Sequence, residues 1–279
     1  MELQQRNKSG MRWKLFVVLM VLAAAGALAL LPSAPSMFAG VQQSAGMPLP
    51  LFLVATFLQS FLLSAVLAFL GLVLGRRTGL GAPLLESLVY GRRGGGQTPG
   101  EETAAQPTTG AAGLLGLSVI VGLAAGALTF GIDVLFVRAI RIELTAGTAL
   151  PNWWQALLSS FYGGINEEIM MRLFFLNALV WVLGLVFRRN PAAAPWTVWT
   201  AVIAASVLFG VSHLPAVQAM IRISPIIVVR TLVLNLIPGI AFGVLFWRRG
   251  LVSAMTAHFS ADILMHVVAP LLFPALAGV

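Results

Sequence analysis

The sequence predicts an all-α fold, a polytopic bundle of transmembrane helices with about seven spans. Of its 279 residues, 59% are hydrophobic and only 9% are charged, whereas charged residues make up about 25% of a typical soluble domain. The mean hydropathy is +0.94, and apolar runs long enough to cross a bilayer recur along the chain. These observations exclude an ordinary soluble domain and predict an integral membrane protein.

The net charge of +8 does not indicate nucleic-acid binding. The basic residues stand in short clusters between the apolar runs, as they do in cytoplasmic loops, and not along one face. The chain contains no cysteine, which excludes disulfides, thiolate metal sites and cysteine nucleophiles. Any bound metal ion would therefore need His, Glu or Asp ligands.

Seven apolar runs are predicted to span the membrane, and a bundle of eight spans is the alternative. The predicted spans cover about residues 15–31, 51–75, 112–137, 153–187, 196–213, 226–247 and 251–268. The first run follows a basic N-terminus and precedes small residues, so a cleaved signal peptide is an alternative interpretation. A retained span is favoured because the run is long and leads into further spans.

Glycine and proline residues are expected to shape three of these spans. Gly163-Gly164 is a candidate break in the fourth span. The fifth span is expected to stop at Pro215, and Pro238-Gly239 is expected to kink the sixth. The apolar tail that begins at Pro270 is too short to span.

The arginine pairs predict the topology. They begin at Arg76, Arg92, Arg188 and Arg248. All four fall on one side when seven spans alternate, and the positive-inside rule makes that side cytoplasmic. Residues 76–110 are therefore predicted to form a cytoplasmic loop with a short interfacial helix at 83–90, and the uncharged residues 32–50 to lie outside. The N-terminus is predicted to be cytoplasmic, in a bacterial inner membrane.

Three charged residues stand inside the apolar fourth span, at Glu167, Glu168 and Arg172. A charge at the bilayer centre costs about 2.5–3.5 kcal/mol on insertion scales, so such residues usually face the bundle interior and carry function. Glu168 and Arg172 are four residues apart, with the acid first, and can pair on one helix face. Glu167 is rotated by about 100°, and is predicted to point into a polar cavity as a base or a ligand.

The three histidines of the chain, His213, His258 and His266, all fall within or at the ends of predicted spans. His258, Asp262 and His266 are spaced four apart, which places them on one helical face. Asp133 near the end of the third span is expected to be interfacial or paired with Arg138, and not catalytic.

Glu167, His213 and His258 supply the residue types of a water-activating site, which needs a base or a metal ion. Two histidines and a carboxylate also match the ligand set of hydrolytic zinc sites. The spacing is not the His-Glu-x-x-His of soluble zinc proteases, so the sequence leaves the metal open. Buried acids and histidines also form proton relays, and a proton-coupled transporter is therefore an alternative function.

Three motifs together resemble the CPBP family, which comprises type II CAAX prenyl endopeptidases and bacteriocin-processing or immunity-associated membrane proteases. These motifs are Glu167-Glu168-x-x-x-Arg172, Phe209-x-x-x-His213 and His258-x-x-x-Asp262. The resemblance covers about residues 155–268. Residues 151–279 are accordingly predicted to form the catalytic membrane core, and residues 1–150 to contribute further spans.

The resemblance implies an intramembrane endopeptidase in which Glu167 activates water with the help of His213. It further implies that His258 and Asp262 stabilise the oxyanion, and that Glu168, Arg172 and Phe209 shape the site. A non-catalytic scaffold or immunity role within the same family is the alternative.

Two mechanisms are compatible with the resemblance. Either a zinc ion is bound by Glu167, His213 and His258, or a glutamate mechanism operates without a metal. The expected partners are the lipid bilayer and a peptide or protein substrate, which in CAAX processing is lipidated.

Asp262 departs from the family pattern, because family members often carry Asn at this position. An ionised Asp would repel an oxyanion. Asp262 is therefore protonated in its apolar setting, or it orients His258, or it binds a cation. His266 matches no family motif, and a structural role is expected for it.

Overall fold

The computed structural model describes residues 12–91, 110–140, 151–187 and 195–273. Within these ranges, seven helices are long and apolar enough to cross a membrane, and no eighth is found: Trp13–Leu30, Leu49–Thr78, Ala112–Ala139, Trp153–Val186, Pro195–Met220, Pro225–Arg249 and Leu251–Leu272. The predicted fold class, an all-α bundle of seven spans, is confirmed.

Short helices occupy two of the connections between spans. Ala34–Met37 and Ala39–Ser44 lie between the first and second spans, and Pro83–Tyr90 follows the second. The helix predicted at residues 83–90 is therefore present. Gly79, with a φ of 77°, ends the second span in the left-handed conformation that glycine adopts without strain.

The fifth span does not stop at Pro215, so that expectation was wrong. Its helix runs from Pro195 to Met220 with the proline inside it. A proline removes one backbone donor, and the helical pattern resumes beyond it, where the amide of Ile221 donates to the carbonyl of Val217 at 2.7 Å. The sixth span likewise continues through Pro238. The kink predicted there stays a prediction.

The fourth span is continuous, and the predicted break at Gly163-Gly164 was wrong. Its middle is wound in wide π-helical turns, over Gly163–Glu167 and Ile169–Leu176, between the α-helices Trp153–Tyr162 and Asn177–Val186. Wide turns of this kind are frequent at functional sites. A third wide segment, Ile263–Val268, continues the α-helix Leu251–Asp262 of the seventh span.

Gly163 and Gly164 allow close packing of the fourth span against the seventh and do not change the direction of the helix. A Cβ atom on Gly164 would lie 3.0 Å from the Cβ of Phe259 and 3.2 Å from the carbonyl oxygen of Met255. The fourth and seventh spans therefore approach each other nearly backbone to backbone. The third and seventh spans do the same, since a Cβ on Gly126 would lie 3.1 Å from the Cα of Ala261.

The described arginine pairs lie at one end of the bundle. Leu251, two residues after Arg249, donates its backbone amide to the carbonyl of Gly81 at 3.0 Å, and Gly81 lies just beyond Arg76-Arg77. The pairs that begin at Arg92 and Arg188 lie outside the described residues. That this end faces the cytoplasm stays a prediction.

The core lies where the fourth span passes through the middle of the bundle, in contact with five other spans. Fully buried apolar side chains of the fourth span and of its neighbours pack together there, among them Leu15, Leu19, Ile169, Leu173, Val198, Val202, Phe242 and Leu251. Because the fourth span is enclosed in this way, its charged residues face protein and not lipid.

Candidate active site

Glu168 and Arg172 form the buried ion pair that their spacing predicts. Nη1 of Arg172 lies 2.9 Å from Oε1 of Glu168, and both side chains are almost completely buried. Nη2 of Arg172 donates to the carbonyl of Gly239 at 3.3 Å. The guanidinium also lies over the rings of Phe209 and Phe242, at 4.9 and 5.6 Å from their centroids. Such contacts offset the high cost of burying two charges.

His258 is oriented by this ion pair. Its Nδ1 lies 2.7 Å from Oε1 of Glu168. A carboxylate paired with an arginine is an acceptor, so Nδ1 carries the proton and donates. The imidazole stacks on Phe242 with ring centroids 4.9 Å apart. The ring is thereby fixed with Nε2 directed towards Glu167.

His213 is oriented by Phe209, one turn earlier in the fifth span. Nδ1 of His213 lies 2.8 Å from the carbonyl oxygen of Phe209, which can only accept, so Nδ1 is the donor. The Phe209 ring also makes edge contacts with His213 and His258, with centroids 4.6 and 5.8 Å apart. Phe209 thus holds one histidine through its backbone and packs against both.

Glu167 is the point on which the two histidines converge. Its Oε1 lies 3.9 Å from Nε2 of His213, and its Oε2 lies 3.7 Å from Nε2 of His258. The side chain of Glu167 is 20% exposed and that of His213 is 30% exposed, whereas Glu168 is fully buried. Three spans therefore bring an acid and two imidazoles together, as the sequence predicts, and leave the site open on one side.

Asp262 completes the cluster. Its Oδ1 lies 3.6 Å from Nε2 of His258. A Cβ atom on Gly163 would collide with Oδ2 of Asp262 and would lie 3.2 Å from Nε2 of His258. Gly163 is therefore what allows the wide turn of the fourth span to fit against Asp262 and His258.

The region that contains these site residues matches a known protein family. Residues 149–264 match the family model described as type II CAAX prenyl endopeptidase Rce1-like. These matched residues are called the Rce1-like domain below. No curated protein and no solved structure matches the chain significantly.

The match confirms the CPBP resemblance. The Rce1-like domain contains all seven residues of the three motifs, while the first three spans lie outside it. Because the family is one of proteases, the match supports proteolytic activity on a protein substrate at a coarse level. It identifies neither the catalytic type nor the substrate.

His266 and Asp133 are two further titratable residues that the sequence singled out. His266 is exposed, whereas His258 and Asp262 are buried. His266 lies near enough to Asp262 to interact with it electrostatically, as their four-residue spacing predicts. Its structural role stays a prediction.

Asp133 is paired, but not with Arg138, and that part of the expectation was wrong. It accepts from Nε and Nη2 of Arg230 on the sixth span, at 2.6 and 2.8 Å. Five residues along a helix turn by about 140°, which points Arg138 away. The fork of Arg230 instead meets both carboxylate oxygens.

A zinc ion and a metal-free mechanism would use the same three side chains, Glu167, His213 and His258. Among the residues that the structure describes, no group of three or more His, Asp or Glu side chains already forms a metal-binding group. Nε2 of His213 and Nε2 of His258 lie 3.9 and 3.7 Å from the carboxylate oxygens of Glu167, whereas the ligand atoms of a tetrahedral zinc site lie about 3.3 Å apart. The zinc site therefore stays a prediction.

Sequence reasoning missed several residues that build the site. Phe242, which stacks on His258, carries no signal, because it is one of 17 phenylalanines in an apolar chain. Gly239, whose carbonyl binds Arg172, was noticed only as a kink residue. Asn166 did carry a signal, since it is a polar amide inside a span and directly precedes Glu167.

Proposed function

We propose that this protein is an intramembrane endopeptidase that hydrolyses a peptide bond of a membrane-associated protein or peptide. The observation that carries the proposal is the convergence of Glu167 on Nε2 of His213 and Nε2 of His258, at 3.9 and 3.7 Å, inside an Rce1-like domain. Both distances exceed a direct hydrogen bond. They suit a water molecule held between the carboxylate and the imidazole of His213.

In the first step Glu167 acts as a general base. It takes a proton from this water while Nε2 of His213 accepts the second water hydrogen bond and orients the attacking oxygen. The oxygen forms a bond to the scissile carbonyl carbon, and the carbonyl electron pair moves to its oxygen. Glu167 then gives its proton to the leaving amine as the C–N bond breaks.

The oxyanion of this intermediate needs hydrogen-bond donors. In this proposal Nε2 of a protonated His258 and the hydroxyl of a protonated Asp262 donate to it; Nε2 of His258 and Oδ1 of Asp262 lie 3.6 Å apart. The surrounding Phe209 and Phe242 exclude water, and donors act more strongly in such a low-dielectric site. Glu168 and Arg172 take no proton in this scheme and hold His258 in place.

A membrane-anchored peptide tests the proposal. An internally quenched peptide with a farnesylated C-terminal CAAX sequence, and its unprenylated form, would be incubated with purified protein in proteoliposomes. We expect Glu167→Gln to lower kcat/KM by about 10²–10⁴-fold, the usual contribution of a general base. The matched control is Glu86→Gln, which changes a carboxylate paired with Arg12 away from the site and should cleave like the wild type.

Equal cleavage by wild type and Glu167→Gln would contradict the proposal. Proton-coupled flux that depends on Glu167, without proteolysis, would instead support a transporter, and intact function in both variants a scaffold. The same assay with a chelator, together with metal analysis, separates the two mechanisms. The metal-free glutamate mechanism predicts that cleavage survives chelation, whereas loss of cleavage that added zinc restores would assign the site to a metal ion.

A further inference from the structure

Asn166, the residue before Glu167, connects the Rce1-like domain to the first two spans. Its side chain is completely buried. Nδ2 donates to the carbonyl oxygen of Ala23 in the first span and to the hydroxyl oxygen of Ser64 in the second, each at 3.0 Å. Both acceptors belong to spans outside the family match.

Gly26 of the first span packs against Oδ1 of Asn166, the amide oxygen. A Cβ atom on Gly26 would collide with Oδ1 of Asn166, and would lie 3.2 Å from its Cγ and 3.3 Å from the carbonyl oxygen of Phe161. Oδ1 is buried without a hydrogen-bond partner among the described residues. The amide is therefore held by two hydrogen bonds on one side and by direct packing on the other.

Asn177 makes a similar connection where the wide turns end. Its Nδ2 donates to the carbonyls of Leu173 and Leu80 at 2.8 and 3.4 Å, and its Oδ1 accepts from the hydroxyl of Thr78. The wide-turn segment of the fourth span is thus attached at both ends to the N-terminal part of the chain.

We propose that Asn166 is a positioning residue that sets the direction of Glu167, so that the first two spans are part of the catalytic unit. This inference rests on the proposed role of Glu167. Three successive residues of the fourth span face three sets of partners: Asn166 faces the first two spans, Glu167 the two histidines, and Glu168 its arginine. Any rotation of the turn that moved Glu167 away from His213 and His258 would also break both Asn166 hydrogen bonds.

Gly26→Ala tests the inference without changing any residue of the Rce1-like domain. The added methyl group must displace the Asn166 amide, and a misplacement of about 1 Å can cost about 10²-fold in rate. We expect kcat on the farnesylated peptide to fall by about 10- to 100-fold with KM nearly unchanged. Gly131→Ala is the matched control, because a Cβ there meets no atom within 4 Å, and it should leave kcat unchanged.

A double substitution separates positioning from general damage. Asn166→Ala removes the amide and should also lower kcat. Gly26→Ala combined with Asn166→Ala should be little worse than Asn166→Ala alone, because the amide with which the methyl group collides is gone and the nearest remaining atom, the carbonyl oxygen of Phe161, lies at 3.3 Å. Fully additive losses would overturn the inference.

The three histidines supply a readout that needs no substrate. In protein labelled with ¹⁵N-histidine, Gly26→Ala should shift the ring-nitrogen signals of His213 and His258, which face Glu167, by more than that of exposed His266. Unchanged His213 and His258 signals in folded Gly26→Ala would overturn the inference. If the wild type cleaved no peptide, the proposed function would fail, while this spectrum would still decide whether Asn166 positions Glu167.

Ser64→Ala is the second variant should Gly26→Ala fail to fold. It removes one acceptor of Asn166 without adding an atom. The same two histidine signals should shift, by less than in Gly26→Ala. A folded Ser64→Ala protein with wild-type signals and wild-type kcat would count against the inference.

Discussion

Glu167 and Glu168 are adjacent in the chain and have different surroundings. Glu168 is fully buried and shares Oε1 between Arg172 and His258, at 2.9 and 2.7 Å. Glu167 lies 3.7 Å from Nε2 of His258 and 3.9 Å from Nε2 of His213, and it is partly exposed. Glu168 therefore has a structural role, and Glu167 is available to act as a base.

The buried pair predicts a strong effect on stability. Glu168→Gln should lower the free energy of unfolding by about 3–5 kcal/mol, because it leaves the buried Arg172 without its counter-charge. Arg172→Met should lower it by less, because Glu168 keeps its contact with His258. The combined substitution should recover part of the stability without restoring cleavage, since His258 loses its charged acceptor. Denaturation in detergent, followed with the peptide assay, measures both; single variants as stable as the wild type would contradict the prediction.

Asp262 offers a test of the oxyanion step. Asp262→Asn should keep cleavage at or above the wild-type level, because an amide donates a hydrogen bond without needing protonation. Asp262→Leu, which has similar bulk and no donor, should lower kcat by about 10²–10³-fold. Loss of cleavage in the Asn variant would favour orientation of His258, or cation binding, as the role of this carboxylate.

The fourth span contains features that local sequence patterns predict and others that they do not. Its length and apolar character are legible in the sequence, and so is the pairing of Glu168 with Arg172. The wide turns are not, because a helical pattern read at 3.6 residues per turn assumes a regular helix. Gly163 was misinterpreted for the same reason: its role is set by Asp262 and His258, about a hundred residues away.

Gly163→Ala tests this role at the level of the helix. The methyl group would collide with Asp262 and press on His258, so we expect loss of stability of about 1–3 kcal/mol and at least a tenfold drop in kcat. Gly131→Ala again provides the control. Wild-type kcat in Gly163→Ala would show that the wide turn does not need this close approach.

At the scale of the whole molecule, the sequence predicts the bundle well and its internal contacts only in part. Hydropathy identifies every described span, and the three motifs identify the residues that meet at Glu167. Contacts such as Asn166 with Ala23, or Asp133 with Arg230, depend on how distant spans pack. No local pattern in the sequence specifies them.

The orientation of the bundle is open to a labelling experiment. The chain has no cysteine, so a single introduced cysteine reports on which side of the membrane its position lies. With the arginine-rich end in the cytoplasm, Ser44→Cys between the first two spans should react with an impermeant maleimide in intact bacterial cells. Ser87→Cys, in the helix Pro83–Tyr90, should react only after permeabilisation. The opposite pattern would invert the proposed topology.

The 3.9 Å between Oε1 of Glu167 and Nε2 of His213 is the space proposed above for the attacking water, and both side chains are partly exposed. A helical segment is about 10 Å across, and its own turns shield its backbone carbonyls from a water molecule in that position. If Glu167 acts as the base, we expect a substrate to present an unwound stretch. Chain ends and helix-breaking sequences should then be cut in preference to intact transmembrane helices.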